Sequence, residues 1–224
     1  MKLKQTNQSI LVASLVAVSF LAAADAGATS VKLMGAGNLL SNHMTPTPAA
    51  GFTIASSKGK FSFGGGASIV FGGPSFGVEV GGNYLTSEGT VTFGGLASGD
   101  ASIKYSYVQI PLLLRMNLGR VLSVGVGGYY NKHIGKISAT DATGTYELEY
   151  GAPATGGGGV PMKGSSYGLL GSLGFDIPIG ASAGLIIDGR YAYGLAEVAV
   201  DTTQYSWKPS DIQAFVGLRF GGSK

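Results

Sequence analysis

Ile212-Gln213-Ala214-Phe215-Val216-Gly217-Leu218-Arg219-Phe220 repeats with a period of two. Ile212, Ala214, Val216, Leu218 and Phe220 fall on one face, and Gln213, Phe215, Gly217 and Arg219 on the other. Successive side chains of a strand point to opposite sides of its sheet, so this stretch predicts a strand with one apolar face.

The pattern recurs upstream. Tyr167, Leu169, Gly171, Leu173, Phe175 and Ile177 oppose Gly168, Leu170, Ser172, Gly174 and Asp176. Leu185, Ile187, Tyr191 and Tyr193 lie across from Asp188 and Arg190, and Leu122, Val124, Val126 and Tyr130 across from Ser123, Gly125, Gly127 and Asn131. Val108, Ile110, Leu112 and Leu114 oppose Tyr107, Gln109, Pro111 and Arg115; Phe76, Val78, Val80 and Tyr84 oppose Gly77, Glu79, Gly81 and Asn83. Phe61, Phe63, Ala67, Ile69 and Phe71 oppose Ser62, Gly64, Gly66 and Ser68. Ser30–Leu40 is the least regular candidate. Eight strands, an even number, predict an all-β fold: an eight-stranded antiparallel up-and-down transmembrane β-barrel.

Composition agrees. Charged residues make up 12% of the chain and mean hydropathy is +0.28, yet past the N-terminus no apolar run approaches the ~20 residues of a membrane helix. The 39 glycines lack a three-residue period and suit strands and tight turns better than helices, where Gly costs about 1 kcal/mol. With no cysteine, neither a disulfide framework nor a thiolate metal site is available.

Residues 1–28 read as a secretory signal peptide, leaving 29–224 as the barrel domain. Lys2 and Lys4 precede the apolar run Ile10–Ala24, and Ala24-Asp25-Ala26 or Ala26-Gly27-Ala28 fits a cleavage site. Loss of that leader removes two bases and one acid and takes the net charge from +3 to +2, too weak for a nucleic-acid partner.

Connections alternate in length. Gly72–Ser75, Leu118–Arg120 and Pro178–Ser182 are tight turns; Asn42–Gly59, Thr86–Asp100, Lys136–Ser165 and Leu195–Ser210 read as long polar loops. Short turns on the periplasmic rim and long loops outside are the outer-membrane arrangement. Threading the strands places Phe71, Phe76, Phe175 and Phe220 near the short-turn rim. Tyr84, Tyr130, Tyr167, Tyr191 and Tyr193 fall near the other. All nine lie on the apolar face, as two aromatic girdles at two membrane interfaces require.

The second face holds Glu79, Arg115, Asp176, Asp188, Arg190 and Arg219 among Gly, Ser, Asn and Gln. Buried charges must pair, and a barrel of eight strands is about filled by its own side chains. Three acids meeting three bases read as a plug; a narrow polar channel is the alternative.

At Tyr105–Leu118 the chain reads Tyr-Ser-Tyr-Val-Gln-Ile-Pro-Leu-Leu-Leu-Arg-Met-Asn-Leu. Tyr107, Ile110, Pro111, Leu112, Leu113, Leu114 and Arg115 resemble a mid-barrel strand of the outer-membrane β-barrel domain family that includes PorT-like proteins and small OmpA-type eight-stranded barrels. Pro111 deletes a ladder hydrogen bond and suggests a bulge. The C-terminal Leu218-Arg219-Phe220 looks like a signal for the barrel-assembly machinery, departing from the usual form because Gly221–Lys224 follow. The resemblance implies outer-membrane lipid as a partner, and it carries over no catalytic residue and no cofactor.

Other chemistry is sparse. Gly164-Ser165-Ser166-Tyr167-Gly168 and Gly180-Ala181-Ser182-Ala183-Gly184 match G-x-S-x-G, but neither precedes a helical pattern. His43 and His133 are read as solvated residues in or near outer loops. Glu147 and Glu149 are too few for a cation site. Thr155–Val160 reads as a flexible tip. The chain is therefore expected to be a non-enzymatic scaffold displaying outer loops, with Trp207, Tyr205 and Lys208 as a candidate contact for an extracellular ligand and a membrane-interface or packing role as the equal alternative for Trp207. Alternatives are a narrow porin, a lipid-modifying barrel enzyme using His43 or His133, and a soluble lipocalin-like barrel, against which the girdles and the charge-balanced face argue.

Overall fold

The computed structural model describes residues 30–41, 44–46, 52–73, 75–95, 99–151, 162–199 and 205–221. The leader, His43 and the tip at 155–160 lie outside them. The described strands are β1 (Ser30–Ser41), β2 (Met44–Pro46), β3 (Phe52–Gly72), β4 (Phe76–Gly95), β5 (Gly99–Leu118), β6 (Leu122–Asp141), β7 (Gly144–Leu148), β8 (Ser165–Pro178), β9 (Ala183–Gly194), β10 (Tyr205–Trp207) and β11 (Ser210–Phe220).

Eight of these form a closed antiparallel barrel in the ring order β1-β3-β4-β5-β6-β8-β9-β11. Pairing of β1 with β11 and of β5 with β6 leaves the ring without an open edge. β7 folds back on the end of β6, and β2 pairs with β10 in a separate two-stranded ribbon. The irregular Ser30–Leu40 segment is thus a full barrel strand. Its contrast is blurred because Met34, Ala36 and Leu40 face inward while Gly35 and Gly37 face outward.

The faces are inside out relative to a soluble protein. Val126 is 66% exposed and Leu112 56%, while Glu79, Asn83, Gln109 and Gln213 are fully buried. Apolar side chains therefore point away from the lumen, as a lipid-facing wall requires.

The tight turns stand where the spacing puts them, between β3 and β4, β5 and β6, and β8 and β9. The left-handed φ of 77° at Gly119 is one that a side chain rarely tolerates. None of the four polar stretches is simply a loop, and 195–210 holds β10. Most of 86–100, and parts of 42–59 and 136–165, continue as strand, giving β3 21 residues and β4, β5 and β6 20 each. β1, β9 and β11 have only 12, 12 and 11. A tilted strand crosses a bilayer in about 9–11 residues, so four strands run about ten residues past the level of Tyr84 and Tyr130. Their polar outward face made them look like loops.

Pro111 makes no bulge. It stays in register with Tyr129 on β6, while the β4 ladder is interrupted between Leu112 and Gln109 without a shift. The irregularity of β5 falls at Lys104/Ser106 instead.

Candidate functional site

The site is the lumen, and the inward positions of the strands fill it in layers. Nearest the short-turn rim, Arg219 on β11 donates from Nε to Asp176 Oδ2 on β8 at 2.8 Å. Above it lies a dense ionic cluster. Glu79 on β4 accepts from Lys32 Nζ at 2.7 Å, Arg115 Nε at 2.9 Å and Arg190 Nη2 at 2.6 Å. Asp188 accepts from Arg190 Nε at 2.9 Å and from Arg115 Nη1 at 3.3 Å, with a second Arg115 contact through Nη2. The Arg190 guanidinium also lies 4.5 Å over the Phe215 ring.

All six charged residues expected inside are inside. Four of them, Glu79, Arg115, Asp188 and Arg190, form one ion-pair network, and Arg219 pairs with Asp176 below it. Lys32 joins them and makes the central cluster three bases to two acids. Only a secure register for β1 would have found it. Unit charges 4 Å apart attract by about 4 kcal/mol at an effective dielectric of 20. Stripping each ion of water costs several kcal/mol. Shared acceptors are what offset that cost here.

Inward glycines make the room. A Cβ on Gly174 would sit 2.9 Å from Ser123 Oγ and 3.1 Å from Asp188 Oδ1; one on Gly184 would sit 2.5 Å from Asp176 Oδ1. The polar face is glycine-rich because the guanidinium groups occupy the volume that side chains would take.

A neutral polar layer follows. Asn38 Nδ2 donates to Ser87 Oγ at 2.8 Å and to Thr86 O at 3.0 Å. Tyr107 OH donates to Asp211 Oδ2 at 3.0 Å. Between this bond and the ionic cluster lie Asn83, Gln109 and Gln213, fully buried, with carboxamides that have no protein partner.

The mouth is apolar. Leu40, Leu85, Val91, Ile103, Tyr105 and Ile137 pack with Met162, Val198, Ala199 and Trp207 from the connecting segments. Trp207 is 1% exposed and meets Tyr105 edge-on at 6.0 Å. Backbone bonds fix this cover: Lys163 N donates to Val198 O at 2.7 Å and Val198 N to Trp207 O at 3.0 Å.

Of the two roles open to Trp207, the structure shows packing, because the last connection folds into the mouth and buries it. One reading of the sequence is corrected here. His133 is not solvated, because β6 continues past it and turns it inward. It is 5% exposed, its Nδ1 donates to Lys163 O at 2.7 Å, and its ring stacks on Tyr150 at 5.2 Å. Burial pushes the Tyr150 hydroxyl up to about 12. Glu147 and Glu149 pair with Lys136 at 3.2 and 3.5 Å. Among the described residues no three His, Cys, Asp or Glu are grouped to hold a metal ion.

Phe71, Phe76, Phe175 and Phe220 stand on the outward face by the short turns, and Tyr84, Tyr130, Tyr167, Tyr191 and Tyr193 on the same face toward the other rim.

A family model described as the outer membrane protein beta-barrel domain matches residues 22–200. Comparison with curated protein sequences gives no match. Among solved structures, OprG of Pseudomonas aeruginosa is similar over 88% of this chain and 97% of its own, with a TM-score of 0.53 and 14% identity. Neisserial surface protein A is similar over 86% and 96%, with a TM-score of 0.46 and 11% identity. Ail of Yersinia pestis, solved with the heparin analogue sucrose octasulfate, is similar over 85% and 98%, with a TM-score of 0.42 and 13% identity.

Proposed function

The chain belongs to the outer membrane protein beta-barrel domain family, whose place is the bacterial outer membrane, and on that premise we propose that it is a closed, non-catalytic scaffold. It holds a rigid four-stranded wall and its connecting hairpins outside the cell. A leader at 1–28 is cleaved on export, and the Phe and Tyr belts sit at the two interfaces of the bilayer.

One observation carries this reading. The lumen is filled at three levels, by ions, by the Tyr107–Asp211 bond and by the Trp207 cover, while β3, β4, β5 and β6 continue past the membrane span. The polypeptide is thus spent on what stands outside rather than on a path through. Binding commonly resides in segments that a rigid scaffold displays.

Single cysteines at Thr143, in the β6–β7 turn, and at Arg120, in a short turn, test the display. In intact cells an impermeant maleimide is expected to label Thr143→Cys and to spare Arg120→Cys. The opposite pattern contradicts the proposal.

A further inference from the structure

The outward face changes character just above the tyrosines. Lys132 follows Tyr130 by two residues on β6 and pairs with Val108, itself beside Tyr84. Lys60 on β3 and Lys104 on β5 both pair across with Glu88 on β4. Lys58 lies one outward step above Lys60. Lys163 precedes β8 and Lys208 precedes β11. All six lysines are exposed.

Among the described residues the acids at this level do not balance them. Glu88 takes Lys60 Nζ at 2.8 Å. Asp211 faces the lumen and bonds Tyr107. Glu197 is held by Ser206 Oγ at 2.6 Å and by the Trp207 backbone N–H. Higher up, Lys136 is satisfied by Glu147 and Glu149, and Asp100 and Asp141 accept from Thr92 and Thr143, so among the described residues the lysines without an acid partner are confined to a collar directly above the apolar band.

We infer that this collar binds the phosphate groups of outer-leaflet lipid headgroups. Depth selects the occupant: Lys132 and Lys208 stand two residues above the level of an interfacial tyrosine, and Lys60, Lys104 and Lys163 four residues above one, within a side chain's reach of the layer where headgroup phosphates lie. Charge selects it too, since each lysine near an anionic lipid surface strengthens binding by about fivefold. Flexible lysine stems suit this task, keeping the chain along the apolar wall and the charge in the headgroup layer. Ser102 Oγ, 3.3 Å from Lys60 Nζ, adds a hydroxyl donor beside the lysines of β3 and β5. The inference rests on reading the tyrosine rim as the outer-leaflet side.

Native mass spectrometry of the full chain in a neutral detergent reads the binding directly, with bisphosphorylated lipid A and its dephosphorylated form as probes. Wild-type protein is expected to retain the bisphosphorylated lipid preferentially. Lys104→Gln/Lys132→Gln is expected to lose about 25-fold in affinity, at about fivefold per lysine, while Lys104→Arg/Lys132→Arg keeps it. Raised salt should weaken retention by wild-type protein, a readout that needs no variant to fold. Equal retention of both lipids, or Gln variants that bind as wild type, overturns the inference. Micelle binding does not depend on orientation, so reversed maleimide labelling with intact lipid selectivity would fault the display reading alone.

Discussion

Tyr107 on β5 donates its hydroxyl to Asp211 on β11 at 3.0 Å, and these two strands are four apart in a ring of eight. A single hydrogen bond therefore spans the whole diameter of the barrel. Glu79 and Arg190 do the same one level below, from β4 to β9 at 2.6 Å.

Tyr107→Phe is expected to cost about 1–3 kcal/mol, the range for leaving a buried acceptor unpaired. Tyr107→Phe/Asp211→Asn should cost less than the two single changes together, because the residues share one bond. Urea unfolding in lipid vesicles measures both; strict additivity would mean the cross-lumen bond contributes nothing.

Glu79 is the common acceptor of Lys32, Arg115 and Arg190. Glu79→Gln leaves three buried bases with Asp188 as their remaining acid and is expected to cost about 3–5 kcal/mol. Lys32→Met removes the surplus base and should cost clearly less. The temperature at which the folded band is lost in heat-modifiable gel migration ranks the two.

The carboxamides behave differently according to their partners. Gln109→Met and Gln213→Met remove groups that bond no protein atom and should change stability by no more than about 1 kcal/mol in either direction. Asn38→Leu removes donations to Ser87 and Thr86 and should destabilise more. The same urea assay compares them, and equal costs would contradict the layering.

In the β6–β7 turn, the Thr143 hydroxyl and amide hold the Asp141 carboxyl below its ordinary value. A lowered value in the fold means that the turn gains stability above the usual carboxylate range and loses it as pH falls through the lowered one. Amide exchange at Thr143 and Gly144 is expected to accelerate on acidification. Asp141→Asn should remove most of that pH dependence.

Much of this was legible in the sequence, and the reasons for the rest are physical. Period two gave seven strands and both faces, because a bilayer outside and a packed lumen inside impose opposite demands on alternate residues. It failed on β1, where Met34 and Leu40 point inward into the packed mouth. It failed again on 86–100, where Thr90 and Thr92 face water above the membrane and the outward apolar signal disappears. His133 was misplaced, and the role of Trp207 left open, for one reason. Their burial comes from residues far along the chain, Tyr150, Lys163 and Val198, which no local pattern reveals. Six ionic residues of the lumen were found by face alone and Lys32 and Asp211 were not; which acid meets which base depends on the diameter across the ring, and that required the closed order of the strands.

The central claim is that the lumen is closed. Purified wild-type protein reconstituted in a planar bilayer is expected to give a flat baseline across moderate voltages. Stable, reproducible unitary conductance steps from the wild-type protein would contradict a plugged barrel and replace it with a pore.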